Sequence, residues 1–581
     1  MITAAEQHAS TSSAAAGEPA HEGIRETIDS IVVAFILAFV FRAFVIEAFI
    51  IPTGSMAPTL YGAHGTITCA DCGTEFAYGL RDLKAGLQGQ RPRHGGSPSN
   101  PKARCPNCNH VNVDLKYTNA RRNAESGDRI LVFKWPFDFG GKGLDPRRWD
   151  VTVFKDPSDG TTNFIKRLVG LPNEVLMLLD GDLYVAPVEA LDEAEVSAFK
   201  QQQRAKFEQR MGGRRGRLQP LPERILQSLD DKLQIARKTD AAQQALWSPV
   251  YDHDYPPQTR DANQPWWRRG KGETSGWNTE HRTVRFEARG TPADYIELGG
   301  KKIVASCAYN TSKSIPDPPV SDLRVRFVLT PESQDGLLRV RLTKQGVSFW
   351  ATIQMDGAVS ICESDGEPTA ETPPWLTTRV SPFQPGKPVQ VAFENLDYRL
   401  ALSIAGQEVL ATSTNRSDDA YYGPHIAALR KMRSPPSGRT PRNYKTVPPR
   451  IYAANGDLSL VHLVVERDVY YYDNLKLSAR PWTNIRGWGT AGAPILLRDD
   501  EYFMLGDNSA ASKDSRLWDN WGSHLIDRGD RFQIGTVPRD QLIGKAFFVY
   551  WPMGHRIEWL PMAFLRRIGI IPDIGRMRWI R

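Results

Sequence analysis

Ser55 stands in the stretch AFIIPTGSMAPTLYG, Ala48 to Gly62, between Gly54 and Met56 and flanked by Pro52 and Pro58. Glycine permits unusual backbone angles, and the prolines stiffen the flanks and remove backbone donors. A short rigid turn of this kind suits an oxygen nucleophile, although a Gly-Ser-Met turn alone proves nothing. A serine hydroxyl also needs a base. The eleven histidines show no triad context. A lysine serves when burial disfavours its charged form. The segment NFIKRLVGLP supplies one, because alternation on a strand puts Lys166 on a face with Phe164 and Leu168. Lys134 and Lys155 sit in similar strands, LVFK and TVFK, and spacing does not choose among the three. A third polar group, GDNSAASKDSR, crowds Asp507, Asn508, Asp514 and Arg516 into a turn after the apolar strand YFML. It reads as a buried network that holds a site in shape, or as an exposed Asx-rich turn.

A second chemistry is carried by thiols. Cys69-x-x-Cys72 and Cys105-x-x-Cys108 are spaced as two knuckles of a tetrahedral zinc site. Disulfides are the competing reading if this segment lies outside the membrane. His64 and His110 are nearby but read as bystanders. Cys307 and Cys362 fall in a later β-rich region, where they either pair or are simply buried.

These groups need elements to position them. At 581 residues the chain is too long for one core, so several domains are expected. It is 41% hydrophobic and 24% charged, as folded proteins are. A net charge of +7 is small for this length, and no long basic tract interleaved with aromatics occurs, which argues against a nucleic-acid partner. Residues 1–23 read as a disordered tail. Residues 24–48 read as an uncleaved membrane anchor. Its charge-free run, Ser30–Phe41, is shorter than the ~20 apolar residues of a full span, but Arg42 can snorkel to the interface. The segment before the run lacks the net positive charge of a signal peptide. The Gly/Pro/Arg-rich stretch Lys84–Arg104 cannot build a core and reads as a loop. From Asp128 the pattern turns to short strands, and EVLMLLDGDLYV reads as a hairpin turning at Asp180-Gly181.

Val188–Met211 and Leu221–Trp247 have helical spacing. From about Trp277 to Leu477 strands alternate again, with Leu323, Val325 and Phe327 inward and Arg324 and Arg326 outward, which implies two packed sheets. Trp266 and Trp267 just before it are either sugar platforms or packing. Strand chemistry like that near residues 128–185 returns after Pro481. The expected division is a catalytic β-unit at 49–68, 110–185 and 496–555, a zinc-ribbon-like insert at 69–109, a helical or linker insertion at 186–275, a β-sandwich at 276–480, and a basic apolar tail at 556–581. That tail either rests on anionic lipid or is solvated.

Taken in order, IIPTGSMAPTL, GDRILVFKW, RRWDVTVFKDP, FIKRLVGLPNE, YFMLGDNSAASKDSRLWDNWG and IGTVPRDQLIGKAFFVYWP resemble the boxes of bacterial type I signal peptidase, the membrane-anchored Ser-Lys endopeptidase family. The resemblance covers under half of the chain. It implies a mainly β, signal-peptidase-type catalytic fold behind an N-terminal transmembrane helix, and cleavage of signal peptides from exported preproteins after small residues. It implies a cell-membrane location with the catalytic part on the extracytoplasmic side, and no catalytic cofactor. By position it implies Ser55 as nucleophile and Lys166 as general base. Thr53 would help bind the oxyanion and Ser512 would orient the lysine, with Asp507, Asp514 and Arg516 as the supporting network. Phe49, Ile51, Pro52, Leu60 and Ile165 would line the substrate groove. The chain departs from the family at Ser509-Ala510-Ala511, where an Arg-Asp-Asn run is usual, at Trp149, where a glycine is usual, and at Asn173-Glu174, where Gly-Asp is usual. The sandwich is similar in strand rhythm to concanavalin/laminin-G jelly rolls, which implies a glycan or protein ligand or simple packing on the protease. Two other functions fit parts of the pattern: a self-cleaving repressor-like protease with the same dyad, and a catalytically inactive, zinc-containing, membrane-anchored binding protein.

Overall fold

The computed structural model describes residues 20–80, 102–114, 127–139, 144–211, 218–258, 266–270, 275–288, 293–299, 302–310, 317–433, 447–473, 475–476, 484–485, 487–526, 528, 532–552, 554–555, 571–572 and 574–581. Most of the expected N-terminal tail, most of the Lys84–Arg104 loop and residues 556–570 of the expected basic tail lie outside them.

The fold is mainly β. Short runs rich in Val, Ile and Phe, bounded by Pro, Gly and Asp, build a first antiparallel sheet. Its strands lie side by side in the order Ile46–Ile50, Arg129–Phe133, Leu542–Trp551, Val151–Lys155, Asn163–Gly170, Glu501–Leu505 and Val537–Pro538. Neighbours in space therefore come from both ends of the sequence: Met504 lies opposite Leu168, and Phe548 opposite Leu131. One face packs Ile51, Met56, Leu60, Ile130, Val132, Val151, Val153 and Ile165 into a single apolar cluster. A smaller sheet stands beside it, built on the hairpin Glu174–Leu179 and Asp182–Pro187 with Ile495–Leu497 and Gln234–Ile235 at its flanks. The hairpin turns at Asp180 (φ 54°) and Gly181 (φ 97°), both left-handed as a two-residue turn requires.

Two larger sheets face each other across a common core. Leu323–Pro331 and Leu458–Arg467 are central in one, Leu337–Lys344 and Arg450–Ala454 in the other. Leu323, Val325, Phe327 and Leu329 from the first meet Leu338, Val340 and Leu342 from the second. This sandwich begins earlier than the sequence pattern suggests. Ser248–Asp252 pairs with Leu458–Arg467, and Trp267–Arg269 pairs with Ala293–Leu298, although both lie in the stretch read as helical or linker. The α-helices there, among the described residues, are Glu193–Met211, Glu223–Asp230 and Asp240–Leu246. Trp267 is buried in the core and Trp266 stacks on Tyr251, so both tryptophans pack. Cys362 is buried and Cys307 half-buried, and neither is in a disulfide.

Two small hairpins carry the cysteine knuckles. Val111–Asp114 pairs with Lys102–Arg104. Likewise His64–Thr68 pairs with Glu75–Gly79. Within the expected basic tail, Arg578–Trp579 pairs with Leu542–Trp551 and Ile580 enters the apolar cluster of the first sheet, while Ile574 and Trp579 are exposed.

At the N-terminus Ala20–Phe44 is helical, and its apolar residues Ile28 to Phe41 are exposed all round. Among the described residues no helix is long and apolar enough to cross a membrane.

The sandwich is tied to the hairpin of the small sheet by buried charge. Lys344 donates to Asp182 on the hairpin at 3.2 Å and to Asp322 in the sandwich. Burial opposes the Lys344 charge, and Asp182 and Asp322 more than offset it, holding the amine well above its ordinary range. Removing one partner strands the others. Lys344→Ala is therefore expected to destabilise the protein by about 3–5 kcal/mol, measured as a lowered midpoint in urea unfolding.

Candidate active site

The strand Ile46–Ile50 leads directly into the serine turn. Ile51 N–H donates to Asp128 O (2.9 Å), and Tyr61 N–H donates to Asp128 Oδ2 (2.9 Å), so Asp128 closes both ends of the loop. Thr53 enters it in extended conformation (φ −129°, ψ 152°), and Gly54–Met56 form one buried 3-10 turn. Lys166 lies on the strand Asn163–Gly170. Its Nζ donates to Ser55 Oγ at 2.7 Å and to Ile165 O at 2.8 Å, and stands 5.3 Å from the centre of the Phe164 ring. Ser55 is 7% exposed and Lys166 4%. The other two lysines are elsewhere: Lys134 pairs with Glu47 (3.3 Å) and Lys155 donates to Thr161 O (3.3 Å).

Strand alternation sends the next residue, Arg167, to the opposite face. Its Nε and Nη2 grip Asp507 Oδ1 and Oδ2 at 2.8 and 2.7 Å, with both side chains wholly buried. Burial opposes the guanidinium charge, and Asp507 more than offsets it, leaving Arg167 above its ordinary range. Arg167 also donates to Trp149 O (2.7 Å), and Thr59 donates to Asp507 Oδ2 (2.6 Å). Neither Arg167 nor Thr59 was singled out from sequence. The available signal was a second cation beside Lys166 in an apolar strand, which must find a carboxylate if buried.

The polar turn therefore holds two buried ion pairs where one network was expected. Asp514 pairs with Arg516 (2.8 and 2.6 Å) and accepts from Gly506 N–H (3.1 Å). Ser512 is buried beside the turn, and its Oγ has no hydrogen-bond partner among the described residues. Thr53 makes no side-chain cap bond. Among the groove residues Ile51, Leu60, Ile165 and partly buried Phe49 share one apolar cluster with Met56, while Pro52 is exposed.

The departures from the family pattern have local compensations. Trp149 holds φ 77°, where an indole-bearing residue is strained. Its ring is buried and its Nε1 donates to Arg237 O (2.9 Å). Asn173 holds φ 61°, which asparagine tolerates. Glu174 accepts a two-point contact from Arg148 (2.8 and 2.6 Å) and Leu171 N–H (2.8 Å). Ser509 Oγ accepts from Arg516 Nη1 (2.7 Å) and from Tyr472 N–H (2.9 Å).

The four knuckle cysteines lie in two hairpin turns and converge. Cys69 and Cys108 sulfurs are 3.5 Å apart, Cys72 and Cys105 3.6 Å, and all four are buried within 4.8 Å of one another. These distances are too long for disulfides. They suit four thiolates around one ion, for which a Zn–S length of ≈ 2.3 Å gives sulfurs roughly 3.8 Å apart. His110 is exposed and outside the cluster; His64 is buried against Gly62 O (2.6 Å).

The family described as signal peptidase, peptidase S26, matches residues 110–237 and 454–551. These two segments are similar to that family, and the rest of the chain lies outside the match. The match includes Lys166, Arg167, Asp507, Asp514 and Arg516, and begins after Ser55. Signal peptidase I of Rickettsia bellii (strain OSU 85-389) is 24% identical over 156 residues, 27% of this chain and 37% of that one. Signal peptidase I of Rickettsia prowazekii is 24% identical over 164 residues, 28% and 43%. A probable signal peptidase I-2 of Synechocystis is 37% identical over 60 residues, 10% and 20%. The chain thus spans less than half the length of these relatives. Among solved structures, a carbohydrate-binding module, CBM66, from Bacillus subtilis is similar at 8% identity over 35% of this chain and 97% of that one, with a TM-score of 0.23. The galectin LEC-6 of Caenorhabditis elegans is similar at 16% identity over 27% and 91%, with a TM-score of 0.16. Scores this low carry no argument about the sandwich.

Two opposed effects at Trp149 set a prediction. Trp149→Gly relieves about 1–3 kcal/mol of backbone strain but empties a site whose packing is worth about 3–5 kcal/mol. Packing wins, so the variant is expected to be less stable by about 2 kcal/mol in urea unfolding.

Proposed function

We propose that this chain is a membrane-bound serine endopeptidase of the Ser-Lys type that removes N-terminal signal peptides from preproteins. The observation that carries the reading is the buried 2.7 Å contact between Lys166 Nζ and Ser55 Oγ. Neutral Lys166 takes the proton from Ser55 as its oxygen attacks the scissile carbonyl. An acyl-enzyme forms on Ser55, the amine product leaves with that proton, and a water molecule hydrolyses the ester. The oxyanion is met by the Ser55 N–H and the Thr53 hydroxyl; losing one such donor typically costs on the order of 10²–10³ in rate. The substrate lies extended along Phe49–Pro52, and small residues before the cleaved bond suit shallow pockets near Ile51, Leu60 and Ile165. Ser512, a buried hydroxyl without a partner beside this turn, is free to bond to the lysine as it moves.

Membrane attachment rests on the helix before the site. Its apolar residues are exposed on every side, and a helix apolar all round is stable only if buried in protein or lipid. It runs straight into the strand that carries the serine turn. In this reading the site lies at the membrane surface, where the apolar part of a signal peptide would be held. The chain divides, in this reading, into the anchor, a catalytic unit in several pieces, a cysteine-bearing insert and an inserted sandwich.

In a preprotein cleavage assay, wild type is expected to process, whereas Ser55→Ala and Lys166→Ala abolish processing. Normal processing by purified Lys166→Ala would overturn the assignment.

We further propose that Cys69, Cys72, Cys105 and Cys108 hold one structural zinc. Elemental analysis is expected to find one equivalent of zinc per chain, lost in Cys105→Ser and retained in Ser55→Ala.

A further inference from the structure

The serine turn presents a problem of support. Gly54–Met56 is buried, so its carbonyls need donors. Asn508 provides them: its N–H donates to Ser55 O (3.0 Å) and its Nδ2 to Gly54 O (2.9 Å). Asn508 is in turn held by a residue far away in sequence. Its Nδ2 also donates to Asn310 Oδ1 (2.9 Å), and Asn310 Nδ2 donates back to Asn508 Oδ1 (2.8 Å). This reciprocal amide pair fixes which end of the Asn508 side chain faces Gly54.

The residue before Asn310 meets the same turn from another side. The Tyr309 ring occupies the space that a methyl group on Gly54 or on Gly79 would fill. Its hydroxyl donates to Ala63 O (2.9 Å), its carbonyl accepts from Gly79 N–H (2.7 Å), and its ring stacks on Tyr61. The loop carrying Tyr309 and Asn310 is pinned to the sandwich. Buried Arg467, on a central strand, donates from Nη2 to Ser306 O (2.5 Å), and Ala305 N–H donates to Pro318 O (2.9 Å).

We propose that Tyr309 and Asn310, from the loop at residues 302–310 of the sandwich, are positioning residues for Ser55. The sandwich thereby becomes a working part of the active site. The inference rests on the Ser55–Lys166 reading above. Tyr309 and Asn310 act through Gly54 and Asn508, not on substrate. A small displacement of a reacting atom lowers the rate of the chemical step far more than it weakens binding.

The test uses the full chain and a preprotein substrate. Asn310→Ala is expected to lower kcat between about 10- and 100-fold, with KM within about twofold, and with zinc content and thermal transition unchanged. Gly54→Ala places a methyl group in the Tyr309 ring and is expected to abolish cleavage. Gly54→Ala/Tyr309→Ala is expected to recover measurable turnover, which loss of a merely structural side chain would not do. Wild-type kcat in Asn310→Ala, a raised KM with unchanged kcat, or no recovery in the double variant each overturns the inference while wild type still cleaves and Ser55→Ala does not. Equal activity of wild type and Ser55→Ala would instead overturn the underlying reading.

Discussion

The pair between Arg167 and Asp507 is the constraint on which the candidate site depends. Two wholly buried charges are tolerated only when their geometry is close to ideal and their remaining bonding capacity is used. Here both guanidinium arms are matched to both carboxylate oxygens, and Thr59 and Trp149 O take further bonds. The strand Asn163–Gly170 is therefore locked to the turn after Leu505. Lys166 and Asn508 each lie one residue from a member of the pair. One carries the amine to Ser55, and the other holds the carbonyls of the serine turn. A displacement that would part the dyad must also pull apart a buried ion pair.

A second layer comes from the sandwich and meets the chain where it departs from the signal peptidase pattern. Ser509, which stands where the family usually has arginine, accepts from Arg516 and from Tyr472 N–H at the sandwich's exit. Tyr472 O accepts from the same guanidinium (2.9 Å), and Asn310 occupies the other flank of the turn at Asn508. Trp149 follows the same logic: its strain is offset by packing and by a bond to Arg237 O, on the segment between the small sheet and the sandwich.

Much of this was legible in the sequence, and what escaped was long-range. Ser55 and Lys166 are each ordinary alone, and only their order among the other boxes singles them out. The alternation of Leu323, Val325 and Phe327 forecast a half-buried strand because period and packing agree. The hairpin at Asp180-Gly181 was readable because its turn needs left-handed residues. By contrast, Ser248–Asp252 is a five-residue strand containing a proline, and nothing local reveals that Leu458–Arg467 lies beside it. The docking of Arg578–Trp579 escaped for the same reason. Asp507 was placed with Asp514 and Arg516 because they are neighbours in sequence. Its actual partner is 340 residues away, beyond any local pattern.

That separation bears on when the site comes into being during synthesis. The strand with Lys166 leaves the ribosome early, but its neighbour Glu501–Leu505 and the clamp at Asn508 follow only after the whole sandwich has been translated. At about 5–20 residues per second, 340 residues take roughly 17–70 s. Throughout that interval the nascent polypeptide holds hydroxyl and amine without the framework that joins them. Under the proposed Ser-Lys reading, the site is assembled only when its final segments arrive.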